Sequence, residues 1–164
     1  MKKTALLLLS IVVLLIGAQA GRAADPTPQE LADKLTGDAA GAAADNPQCG
    51  LFTVEEIAGY LGAPVALGEN AGMGMGCQWL ATSGDGDVMV TVVPADYAER
   101  PSLAEGFKQL PEIGPDAFVL PELGGWAAGA VNGDSFVRVS IAGPAAGERE
   151  AVALLVDTLA RRAP

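Results

Sequence analysis

The sequence contains no histidine, and this absence excludes several kinds of chemistry. Histidine is the commonest general base in enzymes and the commonest protein ligand of metals. The chain therefore cannot contain a Ser-His-Asp hydrolase site, a Cys-His protease site, or a histidine-ligated zinc or haem site. Aromatic residues are scarce, at 5%, and charged residues make up 18%, too few for a coiled coil. Because 50% of the residues are hydrophobic, we expect a globular domain and not a wholly disordered chain.

The first 23 residues have the pattern of a secretory signal peptide. Two lysines precede an apolar stretch over residues 5–16, and small residues follow it. This stretch is short for a membrane-crossing helix, so a retained membrane anchor is the less favoured alternative. We expect cleavage after Ala20 or after Ala23, and no cysteine stands near either site to carry a lipid anchor. The pattern predicts a soluble exported protein, either periplasmic or secreted.

Basic residues are half as numerous as acidic ones, with 10 against 20. Removing residues 1–20 takes away two lysines and leaves 8 basic residues, which gives a net charge of −12. An anionic surface repels nucleic acids and anionic lipid headgroups. We therefore expect no nucleic-acid binding and no membrane insertion after signal cleavage. The charge permits a cationic envelope protein or a small ligand as partner, although solubility alone would also explain it.

The chain has two cysteines, Cys49 and Cys77, both beyond the predicted signal peptide. An even number of cysteines in an exported protein is typical of a disulfide. Their separation of 28 residues differs from a C-x-x-C redox motif. We predict a structural disulfide between them, with a reactive thiol pair or a metal site as the alternatives.

Composition divides the rest of the chain into a tether and a domain. Residues 24–46 are rich in alanine, glycine, aspartate and proline, which predicts a flexible tether ahead of one domain at residues 47–164. Apolar spacing in that domain predicts a helix before Gly62, a short helix at residues 103–110 and a last helix at about residues 146–160. Four residues form the predicted apolar stripe of the last helix: Val152, Leu155, Val156 and Leu159.

A capping box, Thr53-Val54-Glu55-Glu56, marks the start of the first helix. Glu55 and Glu56 are also a pair of carboxylates that could act in catalysis. Their place in the first turn of a helix explains them better, because the helix dipole favours negative charge there.

Two segments predict β-hairpins. Residues 77–82 and 88–93 flank a turn rich in glycine and aspartate. Residues 125–131 and 135–141 flank Asn-Gly-Asp, a strong hairpin signal. Alternation of hairpins with helices predicts an α+β fold, with an antiparallel sheet of about four strands from two hairpins and helices packed on one face. The repeated order is compatible with an internal duplication.

Three motifs carry a resemblance to a known family: Cys49-Gly50-Leu51-Phe52-Thr53, Cys77-Gln78-Trp79 and Gly114-Pro115-Asp116-Ala117. They resemble the Cys-Leu-Leu-Thr helix start, the Cys-x-Trp strand and the Gly-Asp-x-Ala turn of a family of small exported bacterial domains of unknown function. The resemblance covers about residues 47–162. It implies a disulfide and an α+β sandwich, and it brings no known activity or catalytic residues. Many members are lipid-anchored, but this chain lacks the anchor cysteine and has Gly-Pro-Asp at the turn, so surface anchoring does not carry over.

The remaining motif with chemical potential is the stretch that contains Met73 and Met75 between glycines. Thioethers are soft ligands that suit Cu(I). Methionine is also a common gap-filler, and a glycine-rich entry to a hairpin is the simpler interpretation. No nucleophile elbow, phosphate loop or nucleotide fingerprint is present, although carboxylate-only hydrolysis remains open. We therefore expect an exported, non-catalytic binding or accessory module without a cofactor. The alternative is a periplasmic Cu(I)-handling protein that uses these two methionines.

Overall fold

The computed structural model describes residues 42–162 of the chain. The predicted signal peptide and most of the predicted tether lie outside the described residues. The helices are α1 (Val54–Leu61) and α2 (Glu148–Arg161). The strands are β1 (Glu69–Ala71), β2 (Gly76–Leu80), β3 (Asp87–Pro94), β4 (Lys108–Gln109), β5 (Phe118–Glu122), β6 (Gly125–Asn132) and β7 (Ser135–Ala142).

All seven strands form one antiparallel sheet in the order β1-β2-β3-β7-β6-β5-β4. The predicted fold class, an α+β fold with an antiparallel sheet of about four strands from two hairpins, is wrong. The described domain is mostly β, with seven strands and two α-helices. It consists of a three-stranded meander (β1–β3) and a four-stranded meander (β4–β7) that are joined where β3 pairs with β7. These unequal halves remove the repeated order on which the suggestion of an internal duplication rested.

Both predicted hairpins are present as the β2–β3 and β6–β7 pairs. In the second hairpin, Asn132 pairs with Ser135, so the chain reverses over Gly133 and Asp134. Gly133 has φ +57°, a left-handed conformation that glycine adopts without the steric cost of a Cβ atom. The Asn-Gly-Asp signal therefore marks the turn correctly.

The predicted helix over residues 103–110 is wrong. Residues 101–107 form turns, and Lys108 and Gln109 form β4. Leu103 would face the core in a helix with this apolar spacing, but its side chain is 99% exposed. Gly106 breaks any helix here because its φ is +77° and it lies against Pro121 of β5, where a Cβ would be 2.7 Å from the ring. The segment is shaped by this contact with β5 and not by local periodicity.

The first helix follows its sequence signals. The Thr53 Oγ1 atom accepts a hydrogen bond from the Glu56 N–H at 3.2 Å, and the Glu56 carboxylate accepts one from the Thr53 N–H at 2.8 Å. These two bonds form the predicted capping box. Gly62 ends the helix with φ +72°, as the sequence predicted.

The predicted stripe of the second helix is confirmed in part: Leu155 is buried, and Val152 and Leu159 are half-buried against the core, but Val156 is wrong. The buried residues of this helix are Ala151, Leu154, Leu155 and Thr158, while Val156 is 44% exposed. Thr158 can be buried because its hydroxyl donates a hydrogen bond of 2.7 Å to the Leu154 carbonyl. Within residues 42–162, no helix is long and apolar enough to cross a membrane.

The main core lies between the two helices and one face of the sheet. Ile57 and Leu61 of α1 and Leu154 and Leu155 of α2 belong to the same buried cluster as alternate residues of the central strands: Cys77, Trp79, Val88, Val90, Val119, Ala128, Ala130, Val137, Val139 and Ile141. The predicted Cys49–Cys77 disulfide is present. It ties the loop ahead of α1 to β2, where both Cys77 and Trp79 are buried in this core.

The opposite face of the sheet, which we call the open face, carries a second and smaller core. It contains Phe118, Leu120, Ala127 and Phe136. The connection from β3 to β4 must cross three strands to reach the far edge of the sheet, and its residues Ala98, Ala104 and Phe107 pack on this second core. The connection therefore covers part of the open face and leaves the part beside it accessible.

Candidate functional site

A cleft of about 300 Å³ lies on the open face, where the β3–β4 connection meets the sheet. Three strands and the connection supply its lining: Thr91 and Val93 of β3, Leu120 and Glu122 of β5, Phe136 and Arg138 of β7, and Tyr97, Glu99 and Pro101. We call this set of residues the cleft. Leu120 and Phe136 are buried and form an apolar base, whereas the charged and hydroxyl groups are more exposed. A concave apolar surface with a few polar groups is the usual form of a ligand site.

An ion pair between Arg138 and Glu122 occupies one end of the cleft. These residues come from β7 and β5, which flank β6. On this face β6 offers only small residues between them, Gly125, Ala127 and Gly129. Because β6 has no large side chain here, the arginine can reach across it to the glutamate.

Position 129 of β6 has room for glycine only, because two aromatic rings lie directly over it. A Cβ atom there would lie 2.9 Å from the Cζ atoms of both Phe118 and Phe136. The two rings meet over the glycine in a stacked arrangement, with their centroids 6.3 Å apart. This contact fixes Phe136, which is the apolar base of the cleft beside Arg138.

The β3–β4 connection is held in place at several points. It begins with a 3₁₀ turn, Ala95–Tyr97, whose first N–H donates to the Asp134 carbonyl at 2.9 Å in the β6–β7 turn. Arg100 forms an ion pair with Asp116 ahead of β5. Between these anchors Tyr97 is 71% exposed, and Glu99 is also exposed. The side chains of Tyr97 and Glu99 are therefore presented by a segment whose backbone is tied to the sheet.

A second cavity of about 500 Å³ adjoins the cleft. Val93, Tyr97 and Glu99 line both cavities, and Met75 and Pro94 complete the second one. We call this second cavity the outer cavity. The two form one groove, with Glu99 and Tyr97 at their junction, an ion pair at one end and apolar side chains at the other.

The charges in this groove are unequal. Arg138 and Glu122 neutralise each other, while Glu99 has no ion pair within residues 42–162. The groove therefore carries one uncompensated negative charge at the junction of its two cavities.

The residues predicted as a metal site lie at the edge of this region. Met73 is 74% exposed and Met75 is 41% exposed, both at the turn that leads into β2. Met73 has φ +55°, which is uncommon for a residue with a side chain. The Cys77 sulfur belongs to the disulfide and is not a thiolate donor. Among residues 42–162 there is no cluster of three or more cysteine, aspartate or glutamate side chains that could hold a metal ion.

The carboxylate of Glu56 belongs to a contact between the two helices. Arg161 approaches it at 2.6 Å and 3.1 Å, donates to the Leu51 carbonyl at 2.5 Å, and lies 4.3 Å from the Phe52 ring centroid. The hydrogen bond from Arg161, followed by that from the Thr53 N–H, lowers the pKa of Glu56 to about 2. With both oxygens engaged, this carboxylate holds the helices together, which agrees with the structural interpretation of the Glu55–Glu56 pair.

A second contact between the helices joins Tyr60 to Asp157. The tyrosine hydroxyl donates a hydrogen bond to the carboxylate. Partial burial, followed by this hydrogen bond to a negative group, raises the pKa of Tyr60. The raised pKa keeps the phenol protonated, so Tyr60 is the hydrogen-bond donor in this contact between the helices.

Comparison with known proteins finds no matching protein family, curated protein or solved structure. The resemblance to exported domains of unknown function therefore stays a prediction.

Sequence reasoning did not find the cleft. Its residues are spread over nearly 50 positions of the chain, from Thr91 to Arg138. Three strands and the β3–β4 connection supply them, and only strand pairing brings β3, β5 and β7 into one sheet. A partial signal was present, because Phe136 and Leu120 put apolar side chains on the face of the sheet that also carries Arg138 and Glu122. Apolar residues on both faces of a strand indicate that both faces are covered.

Proposed function

We propose that this protein is an exported, non-catalytic binding or accessory module and that the cleft is its ligand site. The observation that carries the proposal is the groove itself. It has a buried apolar base, polar groups at its rim and walls held by anchored backbone. Its two cavities have the size of an organic ligand, since such sites span about 300–1,000 Å³.

Binding accounts for the groove better than carboxylate-only hydrolysis does. Hydrolysis of that kind uses two carboxylates on opposite sides of the bond that is cleaved. Glu99 and Glu122 both line the cleft, but Glu122 is engaged by Arg138. One unpaired carboxylate supports recognition of a ligand and leaves the hydrolytic pair incomplete.

Export rests on the signal-peptide pattern and is supported by the disulfide. Disulfides form and persist in oxidising compartments and are rare in the cytosol. The Cys49–Cys77 bond is therefore compatible with an exported protein. Expression of the full chain with a carboxy-terminal tag, followed by cell fractionation and mass spectrometry of the amino terminus, tests this point. We expect a periplasmic or secreted product that begins at Gly21 or Ala24.

The binding proposal is tested by screening a library of small organic fragments against the exported chain by amide NMR. We expect the hits to shift amide signals of the cleft strands, above all Thr91, Val93 and Phe136. Hits that cluster on the helix-covered side, or a library without hits, would contradict the proposal.

The second candidate function is Cu(I) handling by Met73 and Met75. The observation in its favour is that both side chains are exposed on one turn, where thioethers could reach an ion. Titration with Cu(I) under reducing anaerobic conditions tests it. Sub-micromolar binding that disappears in the Met73→Leu, Met75→Leu variant would establish this function over the first.

A further inference from the structure

The uncompensated carboxylate in the groove indicates what kind of ligand it recognises. Glu99 lines both cavities, is exposed, and has no ion pair within residues 42–162. The whole chain carries a net charge of −10, so its long-range field also attracts cations. Resting on the proposed function of the cleft, we propose that the ligand is a small amphiphilic organic cation, with an amine or guanidine group bound at Glu99 and an apolar body in the groove.

The apolar surfaces beside Glu99 determine the second half of this ligand. On the cleft side, Val93, Leu120 and Phe136 offer aliphatic and aromatic carbon. On the outer side, Met75 and Pro94 do the same. Burial of an apolar body against these groups contributes about 25 cal/mol for each Å² removed from water. A bare inorganic cation would use none of this surface.

Tyr97 adds a second reason to expect a cation. Tyr97 lines both cavities together with Glu99 and is 71% exposed. The face of an aromatic ring attracts an organic cation, and the attraction grows when water is excluded. A cationic group at the junction of the cavities can therefore meet a carboxylate and an aromatic ring together.

The one arginine in the cleft does not favour an anion. Arg138 already pairs with Glu122. An anionic ligand would have to displace that glutamate and would leave a second carboxylate in the groove without a partner. Charge complementarity thus selects a cation at Glu99 over an anion at Arg138.

Three probes with the same phenethyl body separate charge from apolar contact. Phenethylamine is cationic, phenethyl alcohol is neutral and hydrocinnamate is anionic. Each is titrated into the exported chain, and amide NMR follows the signals of Thr91, Val93 and Phe136. We expect phenethylamine to bind most tightly, the alcohol more weakly and hydrocinnamate least.

Two matched variants locate the charge that matters. Glu99→Gln removes the carboxylate at the junction, whereas Glu55→Gln removes an exposed carboxylate from α1, behind the sheet. We expect Glu99→Gln to weaken the binding of phenethylamine about two- to five-fold, which is the range of an exposed ion pair. The affinity for phenethyl alcohol should stay unchanged. Glu55→Gln should change neither.

The other outcomes overturn the inference in distinguishable ways. Equal affinity for the three probes at the cleft, or tightest binding of hydrocinnamate, would disprove a cationic ligand and leave the cleft as a binding site. Loss of phenethylamine affinity in both variants would assign the effect to net charge and also overturn it. Absence of shifts at the cleft with all three probes, together with a fragment library that gives no cleft hits, would overturn the proposed function as well.

Discussion

Removal of the disulfide should destabilise the domain by about 4 kcal/mol. The bond closes a chain segment of 28 residues, for which the loop-entropy relation gives about 3.6 kcal/mol at 25 °C. Cys77 is fully buried in the main core, so replacing its sulfur by a hydrogen atom adds a few tenths to about 1 kcal/mol. Small domains have a total stability of about 5–15 kcal/mol, so this loss is a large fraction of it.

The expected shift in melting temperature follows from the size of the domain. About 120 described residues at roughly 2.1 cal/mol/K each give an unfolding entropy near 0.25 kcal/mol/K. A loss of about 4 kcal/mol then lowers Tm by roughly 15 °C. The assay is thermal unfolding, followed by circular dichroism, of the wild type and of the Cys49→Ala, Cys77→Ala variant.

A reduced sample of the wild type is the control for the change of side chains. Reduction opens the same loop but keeps both sulfur atoms, so it should account for most of the shift. A variant that melts within about 4 °C of the oxidised wild type would contradict a disulfide contribution of about 4 kcal/mol. It would mean that the unfolded chain gains little freedom when the bond is lost.

Three further predictions follow from the packing and the charges. Gly129→Val should cost about 1–3 kcal/mol in chemical denaturation, because a Cβ there would lie 2.9 Å from two buried rings; unchanged stability would contradict the second core. Arg161 lowers the pKa of Glu56 to about 2 from an ordinary 4.5. The Glu56 carboxylate therefore stabilises the fold above pH 4.5, and this contribution is lost as pH falls towards 2. Thermal scans across this range should show a smaller acid-induced loss for Glu56→Gln than for the wild type, and parallel curves would count against the helix contact. Leu103→Lys should change the unfolding free energy by less than about 0.5 kcal/mol, since the side chain is 99% exposed; a core-sized loss would favour the helix that periodicity indicates.

The local parts of the fold could be predicted from the sequence. The capping box at Thr53, the left-handed glycine at Gly62 and the two-residue turn at Gly133 each depend on a few neighbouring residues. Short-range geometry determines such features, so the sequence pattern was sufficient. The β2–β3 and β6–β7 hairpins belong to this class as well.

The strands that were missed depend on distant partners. β1 and β4 have three and two residues, too few for a visible alternation. β5 contains Pro121, and proline argues against a strand because it lacks an N–H to donate. Proline is tolerated here because the β4 pairing stops at Val119, and Pro121 faces the turn at Gly106 on that edge. The pairing of β3 with β7 joins residues between 41 (Pro94 with Ser135) and 55 (Asp87 with Ala142) positions apart, and no local pattern encodes it.

The cleft escaped prediction for the same physical reason. Arg138 and Glu122 meet only because β6 lies between their strands and carries small residues on that face. Glu99 lines the same cleft only because the β3–β4 connection must cross the sheet. Each step depends on strand order, which the predicted four-stranded sheet did not contain.

The most direct test of the account is to fill the groove and measure ligand affinity. Val93 lines both cavities, so Val93→Trp should block them, whereas Met89→Trp places the same ring elsewhere on the same face of β3. Both variants are first shown by thermal unfolding to be folded. We predict that phenethylamine affinity falls at least about ten-fold in Val93→Trp and is unchanged in Met89→Trp. Equal affinity of the two variants and the wild type would contradict the assignment of the groove as the binding site.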